Sequence, residues 1–90
     1  MTNVIPNDIL ARFASLTSRQ QTVFMLIADG LTNGEIAISL GLSVDTVKSH
    51  RAAALCKMEV TTRSGILALA ESIRAHSQAG KIVHTETQTG

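Results

Sequence analysis

Three residues, Gly41-Leu42-Ser43, constrain this chain more than any others. Apolar positions at helical spacing flank them: Ile36, Ala37 and Leu40 before, Val47, Ala54 and Met58 after. Two helices joined so tightly must meet at an angle and share one hydrophobic corner. Ala37 is small enough for close approach, and Gly41 supplies a turn with positive φ. Leu42 and Val47 can fill the corner together with Ile36 and Leu40. Ser43 is the N-cap candidate for the second helix, read as Val44 to about Met58. A small residue, a glycine four later and a valine six after that spell a helix-turn-helix. In that motif the second helix lies in the major groove of DNA. Corners of similar spelling also occur in enzymes, so the pattern alone leaves both uses open.

The remaining punctuation is helical throughout. Asn7-Asp8 can cap a short helix to about Ala14, with Ile9, Leu10 and Phe13 on one face. Thr17 with Gln20, and Thr32 with Glu35, fit the capping box, in which two orphan helix donors are satisfied reciprocally. The helix after Thr17 stops at Gly30, and the one after Thr32 stops at Gly41. Val60-Thr61-Thr62 breaks the chain before a last helix, Arg63 to about His76. Ile66, Leu67, Leu69, Ala70 and Ile73 are its apolar residues. Residues 77–90 lack periodic apolar positions and are read as a disordered tail. The organisation expected is an N-terminal linker with a short helix (1–15), one all-α domain (16–76) and the tail (77–90).

Composition excludes the other classes. Ninety residues support one modest core, not a barrel or a doubly wound sheet. Two aromatics, Phe13 and Phe24, leave Leu, Ile, Val, Ala and Met to make the apolar contacts, which suits packed helices. A single cysteine, Cys56, rules out an intrachain disulfide and a multi-cysteine metal site. His76 and His84 have no companion ligand nearby in the sequence. No apolar run approaches the roughly 20 residues of a membrane span, and the N-terminus does not read as a signal peptide. A cytoplasmic protein without cofactor or metal is expected. Carboxylate pairs, activated nucleophiles and phosphate-binding loops are missing from the sequence, so an enzyme is not expected.

The formal charge of +1 gives no global reason to expect nucleic acid. Its distribution does. Residues 43–58 hold Lys48, Arg51 and Lys57 against Asp45, a formal +2, and the rest of the chain is about −1. On a wheel of about 100° per residue, Val47, Ala54 and Met58 share one face, with Leu55 at its edge. Asp45, Ser49, Ala52 and Cys56 lie opposite, flanked by Lys48 and Ala53. An exposed face so poor in long charged groups admits base edges closely. Serine can hydrogen-bond to several bases, and alanine can touch a thymine methyl. Arg51 falls near the inner face, so its stem packs while its head emerges at the rim, within reach of phosphate.

At this point the sequence resembles a family. Leu16-Thr17-Ser18-Arg19-Gln20, Val23-Phe24, Leu26-Ile27-Ala28, Gly30-Leu31-Thr32-Asn33 and Glu35-Ile36-Ala37 are similar to the LuxR-type (GerE-type) helix-turn-helix domain. So are Leu40-Gly41-Leu42-Ser43, Thr46-Val47-Lys48, His50-Arg51 and Lys57-Met58. The likeness runs from Leu16 to about Ile73. It implies a four-helix DNA-binding bundle, here preceded by a short linker helix, and a role in transcription regulation. Such domains usually form the effector part of two-component response regulators or acyl-homoserine-lactone receptors. Arg12-Phe13 resembles a response-regulator linker. With no receiver or ligand-binding domain in the chain, the reading is a single-domain regulator or an excised effector domain.

The resemblance also implies site residues. Base contacts fall to Lys48, Ser49 and Ala52, with Asp45 as a fourth. Phosphate contacts fall to Thr32, Asn33 and Thr46, where helix N-termini offer N–H groups, with Arg51 beside them. Ile66, Leu69, Ala70 and Ile73 form the implied homodimer face, although such a stripe is first of all a core face. RNA polymerase is a further partner the resemblance allows. The chain departs from the family at Gln20, usually Glu, and at Gly34, Ile38 and Ser39, where relatives often carry Lys or Arg. Ala52 and Gly65 also stand where relatives often have longer or acidic side chains. Few phosphates neutralised means weak binding by one copy. A competing reading is therefore a protein-interaction module of the same fold with little DNA affinity.

Overall fold

The computed structural model describes the backbone of residues 7–89 and the side chains of residues 9–76. Among the described residues the chain is entirely helical: α1 (Asn7–Ser15), α2 (Ser18–Ala28), α3 (Asn33–Leu40), α4 (Val44–Met58) and α5 (Arg63–Thr89). Both predicted capping boxes are formed. The Thr17 hydroxyl accepts from the Gln20 N–H at 3.1 Å and the Gln20 side chain accepts from the Thr17 N–H at 3.0 Å. Thr32 and Glu35 repeat the arrangement at 3.1 and 2.8 Å. Gly41 closes α3 in the left-handed region, φ 68°, and Ser43 caps α4.

The core is built from α2 (Val23, Phe24, Ile27, Ala28), α3 (Ile36, Ala37), α4 (Val47, Ala54, Met58) and α5 (Ile66, Ala70, Ile73), with Leu16 below them. Each large apolar side chain buried there stabilises the fold by about 1.5–3 kcal/mol. α2 and α4 pack most extensively, α3 closes on α4, and α5 lies on α2. The corner residues Ile36, Ala37 and Val47 are all buried, while Leu40 and Leu42 pack against them half-buried. Phe13 of α1 meets Phe24 edge-on, with ring centroids 6.2 Å apart. The Gln21 amide donates to the Phe13 carbonyl at 2.8 Å.

Two arginines of α5 hold the C-terminal end of α2. Arg63 donates to the Ile27 carbonyl at 3.2 Å, and Arg74 pairs with Asp29. Cations are favourable at a helix C-terminus.

Three features differ from the sequence reading or refine it. α5 continues to Thr89 instead of ending near His76; Gly80 is its only strong breaker after that point and no proline interrupts it. The side chains of residues 77–90, His84 among them, lie outside the described residues, as do Pro6 and the Asn7-Asp8 cap. Second, α4 ends at Glu59, which takes φ 56° and ψ 46° without being glycine. Third, Gly65 has a steric reason. A Cβ there would stand 2.6 Å from Val60 Cγ2 and 2.9 Å from Thr62 Oγ1. The turn from Glu59 folds over it, leaving no room for a side chain.

No helix of the described residues is long and apolar enough to cross a membrane.

Candidate nucleic-acid interface

The helix pair α3–α4 presents one continuous exposed surface. Asp45, Lys48, Ser49 and Ala52 are exposed on α4, and Val47, Ala54 and Met58 are buried behind them. The structure thus brings together the four candidate base-reading residues. Two of them have short side chains, so a duplex could approach the helix backbone closely. Ile38, on α3, is 85% exposed, an apolar side chain where a cation would have added attraction for phosphate.

The candidate phosphate donors are arranged differently from the expectation. The Thr32 N–H is bonded to Glu35 within the capping box. The Thr46 N–H donates to Ser43 Oγ at 3.1 Å, and Ser43 Oγ donates to Thr46 Oγ1 at 2.9 Å. Neither amide is left for an anion. The hydroxyls of Thr32 and Thr46 serve the caps as acceptors, which leaves each O–H proton available to donate. Asn33 is half-buried at the first turn of α3, and its Oδ1 accepts from Arg51 Nη1 at 3.4 Å. The caps were legible; that they would consume these N–H groups follows from the same pattern.

The positive charge of α4 is also divided. Lys57 Nζ reaches the Ser15 carbonyl at 3.5 Å and Gln20 Oε1 at 3.3 Å, which directs it to the α1–α2 junction. Arg51 is half-buried against Asn33. Of the three cations that make the helix formally +2, Lys48 alone stands on the exposed face with Ser49 and Ala52 and without a bonded partner among the described residues. The expected concentration of charge is therefore real along the helix but thinner on the face that matters.

The implied dimer stripe needs correction. Ile66, Ala70 and Ile73 are buried in the protomer's own core, and Leu69 packs partly against it. Side chains enclosed beneath α2 cannot also present a seam to a second copy. The exposed side of α5 carries Leu67, at 42% exposure, with Ala68, Glu71 and Ala75. Cys56 is an exposed free thiol.

Comparison with known proteins agrees with this geometry. The family described as bacterial regulatory proteins, luxR family, matches residues 14–70. The two-component response regulator PprB of Pseudomonas aeruginosa is 42% identical over 73 residues, covering 80% of this chain and 26% of that protein. The uncharacterized response regulatory protein YgeK of Escherichia coli is 42% identical over 69 residues, 73% of this chain and 46% of the relative. The transcriptional regulatory protein FixJ of Rhizobium meliloti is 36% identical over 64 residues, 71% of this chain and 31% of the relative. The chain thus spans less than half the length of these relatives. No solved structure matches significantly. On the match across α2, α3 and α4, with their caps and left-handed turn in place, the chain belongs to the LuxR family of bacterial regulatory proteins.

Proposed function

We propose that this domain binds double-stranded DNA as the effector module of a transcription regulator, with α4 in the major groove. The observation that carries the reading is the exposed set Asp45, Lys48, Ser49 and Ala52 on a helix whose opposite face is buried. Lys48 supplies the charge, Ser49 a hydroxyl for base edges, and Ala52 a small apolar contact; Asp45 can accept from cytosine. The hydroxyls of Thr32 and Thr46 and the Asn33 amide group fix the register on phosphate. The relatives' names, a two-component response regulator and a transcriptional regulatory protein among them, support the regulatory context. No catalytic role, cofactor or metal enters this reading, and the bacterial cytoplasm is its setting.

Dimerisation belongs to the same proposal. With Ile66, Ala70 and Ile73 enclosed, the pairing surface moves to the exposed side of α5 around Leu67. RNA polymerase is a further partner of the regulator as proposed.

The test is a duplex titration at several salt concentrations. Lys48→Ala is expected to weaken binding about tenfold and to lower the salt slope by about one. Unchanged affinity and slope would place the docking surface elsewhere. Only weak, sequence-indifferent association by the unaltered chain at low salt would favour the protein-interaction module instead.

A further inference from the structure

We propose that Arg51 is a positioning residue for DNA recognition, acting through Asn33 and not on phosphate. The proposal rests on the DNA-binding reading above. Among the described residues, Arg51 Nη1 to Asn33 Oδ1, at 3.4 Å, is the only side-chain hydrogen bond joining α3 to α4. It spans 18 residues of sequence, and both partners are half-buried. No carboxylate pairs with Arg51 among the described residues.

The placement matters more than the single bond. α3 and α4 are fixed to each other at the Gly41 end by the buried corner Ile36, Ala37 and Val47. Apolar packing of that kind carries no hydrogen-bond directionality, and the corner lies at one end of the pair. Asn33 begins α3, at the end far from the turn, and Arg51 lies two helical turns into α4. Their bond is a second, directional point of attachment, and two points set an angle. Arg51 is also one turn beyond Lys48, at the i+3 spacing that makes neighbours on a helix surface. The angle it sets is therefore the angle at which Lys48, Ser49 and Ala52 approach a base pair.

The chemistry of arginine adds a second consequence. A guanidinium has donors only. The Asn33 oxygen must face it, which turns the Asn33 NH2 group away from Arg51. Arg51 thereby holds the Asn33 amide in one of its two orientations.

The experiment uses the 90-residue chain, a duplex that the unaltered chain selects from a random pool, and a scrambled duplex of the same composition. Arg51→Met keeps the packed stem and removes the donor. It is expected to weaken the selected duplex about tenfold, to leave the scrambled one within about twofold, and to keep the salt slope. In an Asn33→Ala background the same change is expected to have no further effect. Arg51→Lys keeps the charge but falls short of Asn33. It should lose selectivity like the methionine variant while binding scrambled DNA normally, and it guards against a variant that fails to fold.

Equal loss on both duplexes with a slope lower by about one makes Arg51 a phosphate contact and overturns the proposal. So does full selectivity in Arg51→Lys, or an undiminished loss in the Asn33→Ala background. An unaltered chain that prefers no duplex overturns the DNA-binding reading and the proposal with it; the other three results overturn the proposal alone.

Discussion

Two helix ends in this molecule have the same geometry and different residues. α3 closes on Gly41 at φ 68°, ψ 38°, and α4 closes on Glu59 at φ 56°, ψ 46°. In both, the next residue's N–H returns to the carbonyl five back: Leu42 to Ala37 at 2.9 Å and Val60 to Leu55 at 3.2 Å. At Gly41 the surroundings impose nothing, because an added Cβ would meet no atom within 4 Å. Backbone conformation alone asks for glycine. At Glu59 a side chain accepts a left-handed conformation that costs about 1 kcal/mol or more. Tertiary contacts offset part of it. Glu59 lies 3.4 Å from Arg12 of α1, and Val60 behind it packs on the core over Gly65. The first turn is made by its own residue, the second by its neighbours.

That contrast can be broken at its strongest point. Gly65→Ala pushes a methyl into Val60 and Thr62, the contacts that shape the second turn. A loss of about 2 kcal/mol is expected, overpacking outweighing the better helix propensity of alanine. A melting temperature lower by roughly 8–16 °C would accompany it, and an unchanged one would mean that the turn yields freely. Gly41→Ala tests the conformational case. With open space around it the change should cost about 1 kcal/mol in urea unfolding. A loss twice as large would point to a contact that the turn conceals. Glu59→Gly is the smallest and has the opposite sign. Relief of the left-handed strain should exceed the added freedom of the unfolded chain and the loss of an exposed ion pair. We expect a gain of about 0.5 kcal/mol. Destabilisation instead would make the Arg12 pairing more important than the strain.

Features set by neighbouring residues were legible in the sequence. Thr17 with Gln20, Thr32 with Glu35, Ser43 and Gly41 each act within four residues, and each stands where the pattern placed it. The buried face of α4 was equally readable, since Val47, Ala54 and Met58 follow from helical periodicity alone. What escaped depends on distant partners. Glu59 looks like an ordinary surface residue until Arg12 and Gly65 are brought beside it. Lys57 counts as a cation of α4 until its ammonium is seen at Ser15 and Gln20. Ile66, Ala70 and Ile73 could serve a core or a seam, and only the position of α2 decides for the core. The bond from Arg51 to Asn33 joins residues 18 apart with no motif to announce it. The exposed face of α4 was legible; the bond proposed to position it was not.

The clasp between α5 and α2 has a mechanical consequence. Arg63 and Arg74 are eleven residues apart, which returns them to nearly the same side of α5, about 16 Å from each other along its axis. Both converge on the last turn of α2, at Ile27 and Asp29. Load on α5 is therefore shared between the covalent link to α4 through residues 59–62 and two guanidinium contacts to α2.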